Sequence, residues 1–189
     1  MAARGFKTWC ENTAAGLRRE VGVLPHDPLP PAQLAQHLGI VVWRVDEVPG
    51  LASDALAVLV DEDPDSWSAV TLRTDAGSVI IVNSPHSDAR LASSTMHELA
   101  HLVLEHDGTR VDITPDQTML LHGYDKEQEN DADWLAGCLL LPRVALLRSR
   151  ELKWSDTQIT AHYGVSRDML TYRLRMTAVD SQMARRRPR

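Results

Sequence analysis

A chain of 189 residues, 43% of them hydrophobic, is long enough to bury one well-packed core with a small appendage, which excludes a disordered polypeptide. Its net charge of −6 is unevenly spread: residues 1–142 hold 9 Lys and Arg against 22 Asp and Glu, a balance of −13, and residues 143–189 hold 11 against 4, a balance of +7. No run comes near the roughly eighteen apolar residues of a membrane helix, and Cys10 and Cys138 stand outside any C-x-x-C spacing, which excludes a disulfide framework or a cysteine zinc finger. The opening M-A-A-R-G-F-K-T-W-C lacks the apolar centre of a signal peptide, so a cytoplasmic location with no membrane partner is expected.

In chain order, residues 7–21 read as an amphipathic helix. Pro30-Pro31 opens a short helix, A-Q-L-A-Q-H-L, that Gly39 ends before the β-branched run I-V-V-W-R-V. Further short strands are expected at A-L-A-V-L-V (55–60), S-A-V-T-L-R (68–73) and S-V-I-I-V-N (78–83), separated by turn-rich segments, a spacing that favours hairpins and a mostly antiparallel sheet. After Pro85 a long helix is expected over about 87–106, terminated by Gly108, then a loop over 107–124. A second long helix over about 125–141 stops at Pro142, and three shorter helices complete the chain. No internal repeat is visible. The expected division is a body over 1–142 and a basic helical segment over 143–189, the latter either separate or integral to the body.

The stretch M-H-E-L-A-H-L-V-L-E-H, Met96 to His106, carries the chemistry. Helical spacing puts His97 and His101 one turn apart on one face, where both reach one zinc ion, and Glu98 stands where its carboxylate reaches a water on the metal as a general base. The composition would produce His-Glu-x-x-His by chance about once in 60 such chains. The intervening Leu99, Ala100, Leu102, Val103 and Leu104 are what a buried helix needs.

A catalytic zinc takes a third protein ligand and keeps one open position. The next helix begins D-K-E-Q-E-N-D-A-D-W and offers two acidic faces: Asp125, Glu129 and Asp133 on one, Glu127 and Asp131 on the other. Either face supplies a ligand and, one turn on, an acceptor for a ligand histidine; the losing face is a solvated helix start favoured by the helix dipole.

H-E-L-A-H-L-V-L-E-H followed by E-N-D-A-D-W-L-A-G-C-L-L-L-P resembles the ImmA/IrrE family of zinc-dependent metallopeptidases, bacterial enzymes that cut transcriptional repressors. Glu129, Ala132, Asp133, Trp134, Leu139, Leu140 and Pro142 fit that family's register, while Asp131 stands where the family usually has Glu. Weaker similarity touches G-F-K-T-W-C-E and P-P-A-Q-L-A-Q-H-L-G-I. The resemblance implies an α+β, zincin-like metallopeptidase fold, with a small sheet packed on the His-Glu-x-x-His helix and a second ligand helix. It also implies one zinc held by His97, His101 and Glu129, Glu98 as the base, Asp133 behind a ligand histidine, and an XRE-like helix-turn-helix repressor as the protein substrate. His122 and Tyr124 are candidates for a second electrophile at the oxyanion, and S-V-I-I-V-N for the sheet edge that receives the substrate as an added strand.

The basic end contains Q-I-T-A-H-Y-G-V-S-R-D-M-L-T-Y-R-L, which resembles a helix-turn-helix: Gly164 supplies the turn, Ser166 the N-cap, and Val165 with Leu170 a hydrophobic staple. Arg167, Tyr172, Arg173 and Arg175 are then candidates for phosphate contacts, with single-stranded or damaged DNA as an activator; helices that only pack against the body are the competing reading. Cys10 is a candidate inhibitory ligand whose thiolate would take zinc's open position. His26, His37, His86, His106 and His162 have no ligand-spaced partner that improves on the assigned pair, and Trp134 reads as core. Two other functions compete with a repressor-cutting peptidase: a DNA-binding regulator with structural zinc, which the negative body disfavours, and a pseudopeptidase that holds a repressor uncut, which an intact Glu98 disfavours.

Overall fold

The computed structural model describes residues 5–62, 64–74, 77–106, 110–113, 119–122 and 125–186. Helix α1 (Phe6–Val21) buries Cys10, Ala14 and Arg18, a stripe at four-residue spacing, and lies against the long helix α5 (Lys126–Leu140). The buried Arg18 is held by donating to the carbonyl of Leu139 at 2.5 Å. Pro31 opens α2 (Pro31–His37) at its first position, where the missing N–H costs nothing. Strand β1 (Val41–Arg44) follows.

The segment expected as a strand over 55–60 is helical: α3 (Ser53–Ala57) runs into a π-type turn over Val58–Glu62. Asp54 in the first turn suits the helix dipole, and Ala55, Leu56 and Ala57 are strong helix formers that outweigh the β-branched tail of the run. This segment therefore carries the chain past β1 instead of pairing with it.

Strands β2 (Ala69–Thr74) and β3 (Gly77–Val82) form the expected antiparallel hairpin, Thr71 facing Ile80. β1, however, pairs with β3 in parallel, Val42 beside Ile80, giving the order β1-β3-β2. A parallel partner needs a long crossover, and residues 45–76 supply it. β3 is thus the central strand, with Ile80 and Val82 buried, and the edge beside the histidine helix is β2, not the S-V-I-I-V-N run.

Helix α4 (Asp88–Val103) buries Thr95, Met96, Leu99 and Ala100 between the sheet and α5. It ends before the predicted Gly108, which lies outside the described residues: Glu105 takes the left-handed turn at φ 55°, and the His106 amide donates to the His101 carbonyl at 3.0 Å, a C-terminal closure usually made with glycine. Within the expected loop over 107–124, Arg110–Ile113 (β4) and Met119–His122 (β5) pair as an antiparallel hairpin, Val111 facing Leu121.

Asp125 caps α5 by accepting from the Glu127 amide at 2.8 Å, and α5 then buries Leu135 to Leu140. Pro142 is the N-cap of α6 (Arg143–Glu151). Ser155 and Gln158 form a capping box at α7 (Asp156–Tyr163), Gly164 makes the left-handed turn at φ 63°, and Ser166 caps α8 (Arg167–Thr177) by accepting from the Met169 amide at 3.1 Å. Val165 and Leu170 are both buried, as the staple requires. Helix α9 (Val179–Arg186) follows, and Asp180 on it accepts from Arg150 at 2.8 Å.

α8 is joined to the rest through Arg173, which is fully buried. Its guanidinium donates to the Leu141 carbonyl at 2.9 Å and to Glu11 of α1 at 2.6 Å. Gly137 makes the space: a Cβ there would stand 2.8 Å from Cδ of Arg173. Among the described residues no helix is long and apolar enough to cross a membrane.

Candidate metal centre and cleft

The apolar residues of α4 anchor one face in the core and turn His97 and His101 toward α5, both half-buried. Glu129 comes from the first turn of α5. Nε2 of His97 and Nε2 of His101 lie 3.0 Å apart, His97 Nε2 is 3.1 Å from Glu129 Oε2, and His101 Nε2 is 3.4 Å from Glu129 Oε1. A tetrahedral zinc with bonds of about 2.0–2.1 Å separates its ligand atoms by roughly 3.3 Å; the two distances to Glu129 end on different carboxylate oxygens, and with one ligand atom from each residue the triangle closes within 4.8 Å on every side. Among the described residues, these three are brought together as a group able to hold a metal ion. Asp131, on the other acidic face, lies outside the triangle and close enough to Cys10 to help raise its thiol pKa.

Both rings are held from behind. Asp133 Oδ1 is 2.9 Å from Nδ1 of His97, which keeps the ring proton on Nδ1 and leaves the Nε2 lone pair free for a metal. Burial lowers the His97 pKa, but the Asp133 hydrogen bond and charge outweigh it and the net direction is up. His101 is pulled down, first by burial and then by the His97 charge, and its Nδ1 lies 3.0 Å from Nδ1 of His106. Sequence spacing gives His106 no ligand-spaced partner; its place five residues beyond His101 becomes a contact only through the tight C-terminal turn of α4.

Glu98 sits beside the triangle with its Oε2 accepting from Thr71 Oγ1 at 2.5 Å. Burial raises its pKa above the ordinary carboxylate range, against the lowering effect of the Thr71 bond. Thr71, on the edge strand, carried no mark in the sequence. His97 and Glu98 open onto a cleft of about 290 Å³ walled by Ser68 and Ala69 of the sheet side, Asp133 and Ala136 of α5, and Met169 of α8. Ser93, Asp133 and Met169 also line a neighbouring hollow of about 280 Å³ that runs on past Asp168 to Tyr172.

The family profile of the IrrE N-terminal-like domain, Peptidase M78, matches residues 53–175. The chain belongs to that metallopeptidase family. The match runs into α8, the helix that contributes Met169 to the cleft. A Mycobacterium tuberculosis transcriptional regulator has a similar structure, with a TM-score of 0.52 and 18% identity, over 88% of this chain and 46% of that one. This chain thus spans less than half the length of that regulator, and the likeness is one of fold. No curated protein matches the sequence.

The remaining expected residues fall elsewhere. Cys10 is fully buried in the core beneath α5, and burial pushes its thiol up to about 12; it is a neutral core group, not a thiolate ligand poised for an open metal position. Arg173, expected to face phosphates, is spent inside on Glu11 and Leu141. Tyr172 packs edge-on against Trp134 at 6.3 Å, and that Trp also carries Lys7 over its ring at 4.2 Å. Arg167 and Arg175 are exposed on α8, Arg167 with Asp156 at 3.6 Å. The side chain of His122 and the whole of Tyr124 lie outside the described residues.

Proposed function

We propose that the chain is a zinc-dependent endopeptidase that cuts a transcriptional repressor of the XRE-like helix-turn-helix type and so derepresses stress, defence or mobile-element genes. The observation that carries this reading is the convergence of His97, His101 and Glu129 into one group with the carboxylate of Glu98 beside it, His97 and Glu98 lining a cleft. The donor set, two imidazole nitrogens and one carboxylate, is one that zinc favours at catalytic centres. Zinc in that position supplies Lewis-acid activation of water and of the scissile carbonyl.

The chain's own residues do the rest. Thr71 holds Oε2 of Glu98, which leaves Oε1 to take the proton of the attacking water. As water adds to the carbonyl carbon and the C–N bond breaks, Glu98 returns that proton to the leaving nitrogen. Burial raises the Glu98 pKa, the direction that makes it a stronger base toward the water. Among the described residues β2 is the end strand of its sheet, the edge that a substrate strand would join beside the cleft. The fit to a repressor substrate rests on family membership.

The test is to mix the zinc-loaded chain with the helix-turn-helix protein encoded by a neighbouring gene. Defined fragments by mass spectrometry, abolished by a chelator, are expected; an intact partner that still forms a complex would replace this reading with a non-cleaving binder.

A further inference from the structure

We propose that His106 is the positioning residue for His101, and that Arg73 on the edge strand holds His106 in place for that task. The inference rests on reading His97, His101 and Glu129 as the zinc-holding set. Nδ1 of His101 and Nδ1 of His106 lie 3.0 Å apart, with the rings edge-on, their centroids separated by 5.0 Å. A neutral imidazole that keeps the Nε2 lone pair for a metal carries its proton on Nδ1. His101 Nδ1–H therefore donates and His106 Nδ1 accepts. His97 uses the Asp133 carboxylate for the same purpose, so each ligand ring has its own partner behind it, an arrangement that fixes ring orientation and tautomer.

Three further features bring His106 to this position. Its amide closes the end of α4 on the His101 carbonyl at 3.0 Å. The preceding Glu105 accepts a left-handed φ of 55°, which a helix end normally gives to glycine. The His106 carbonyl accepts from Arg73 at 2.5 Å. Arg73 lies two residues after Thr71 on β2, so both project from the same face of the strand. One face of one edge strand thus reaches the base through Thr71 and, through His106, the ring of a metal ligand.

Zinc dissociation constants would be measured by chelator competition on the full chain for wild type, His106→Ala, His106→Phe, His106→Asn and Arg73→Met, each with a metal-free thermal melt. His106→Ala and His106→Phe should weaken zinc binding roughly 10- to 100-fold with unchanged metal-free melting. His106→Asn, whose Oδ1 can accept in place of Nδ1, should recover most of that loss, and Arg73→Met should lose less than His106→Ala. Zinc binding by the Ala and Phe variants equal to a tight-binding wild type overturns this proposal alone. A loss that tracks a lowered metal-free melt, or that Asn does not relieve, overturns it in favour of a packing role. A wild type that binds no zinc overturns it together with the metal reading.

Discussion

Thr71 Oγ1 donates to Glu98 Oε2 at 2.5 Å, so the edge strand of the sheet fixes the orientation of the carboxylate beside the histidine pair. Glu98→Gln should keep zinc, because the ligands are untouched, and lose about 10²- to 10⁴-fold in cleavage rate, because the amide cannot take the proton. Thr71→Val should keep zinc and lose roughly tenfold, consistent with one hydrogen bond to a charged group. Burial already raises the Glu98 pKa and Thr71 opposes it; removing Thr71 raises it further, so the acid limb of the pH–rate profile should move to higher pH. Full activity in Glu98→Gln would refute the assigned base.

Glu129 and Asp131 lie two residues apart on α5, but Glu129 reaches the histidine pair, whereas Asp131 stands outside that group and its charge is felt at His106 and Cys10. Glu129→Ala should therefore strip zinc, whereas Asp131→Ala and Glu127→Ala should bind it nearly as wild type. Metal analysis of the three purified variants decides the register: zinc lost from Asp131→Ala and kept by Glu129→Ala would show the ligand misassigned.

Gly137 and Arg173 form a packing pair that breaks in two distinguishable ways. Arg173→Ala leaves Glu11 with the Arg143 amide and should cost roughly 2–4 kcal/mol, the range for removing one partner of a partly buried ion pair. Gly137→Ala puts a Cβ against Cδ of Arg173, 2.8 Å away, and should cost roughly 1–3 kcal/mol by overpacking. In the Arg173→Ala background the Gly137→Ala cost should largely vanish. Additive costs in a denaturant-unfolding cycle would contradict the clash.

Met169 brings α8 into the wall of the cleft. Met169→Trp should fill that space and slow cleavage without changing zinc content, mainly through a higher KM. Unaltered kinetics would mean that the substrate does not pass this wall.

Of the three arginines expected to meet nucleic acid, Arg167 and Arg175 are exposed and Arg173 is buried, so an activating nucleic acid is tested at the first two. Partner cleavage with and without single-stranded DNA should show a stimulation that salt weakens and that Arg167→Ala with Arg175→Ala removes. Equal cleavage under every condition would leave α8 as a structural and cleft-lining helix.

What the amino-acid order determined by itself is local. His97, Glu98 and His101 follow from helical spacing, the bounds of α5 from its acidic start and Pro142, and the α7–α8 turn from Ser155, Gly164 and Ser166, because caps and periodicity act within a few residues of the chain. Tertiary structure alone decided the rest. Strand order turned on whether residues 55–60 paired or coiled, and once they coiled, β3 took the centre and β2 the edge. A polar stripe at Cys10 and Arg18 went inside, and so did Arg173, because partners far along the chain were there to receive the two arginines: Leu139 is 121 residues from Arg18, and Glu11 is 162 from Arg173. An arginine written in a basic tail reads as exposed until a half-buried carboxylate and a glycine-sized gap are known, since the cost of burying a charge depends on what it meets there and not on its neighbours in sequence.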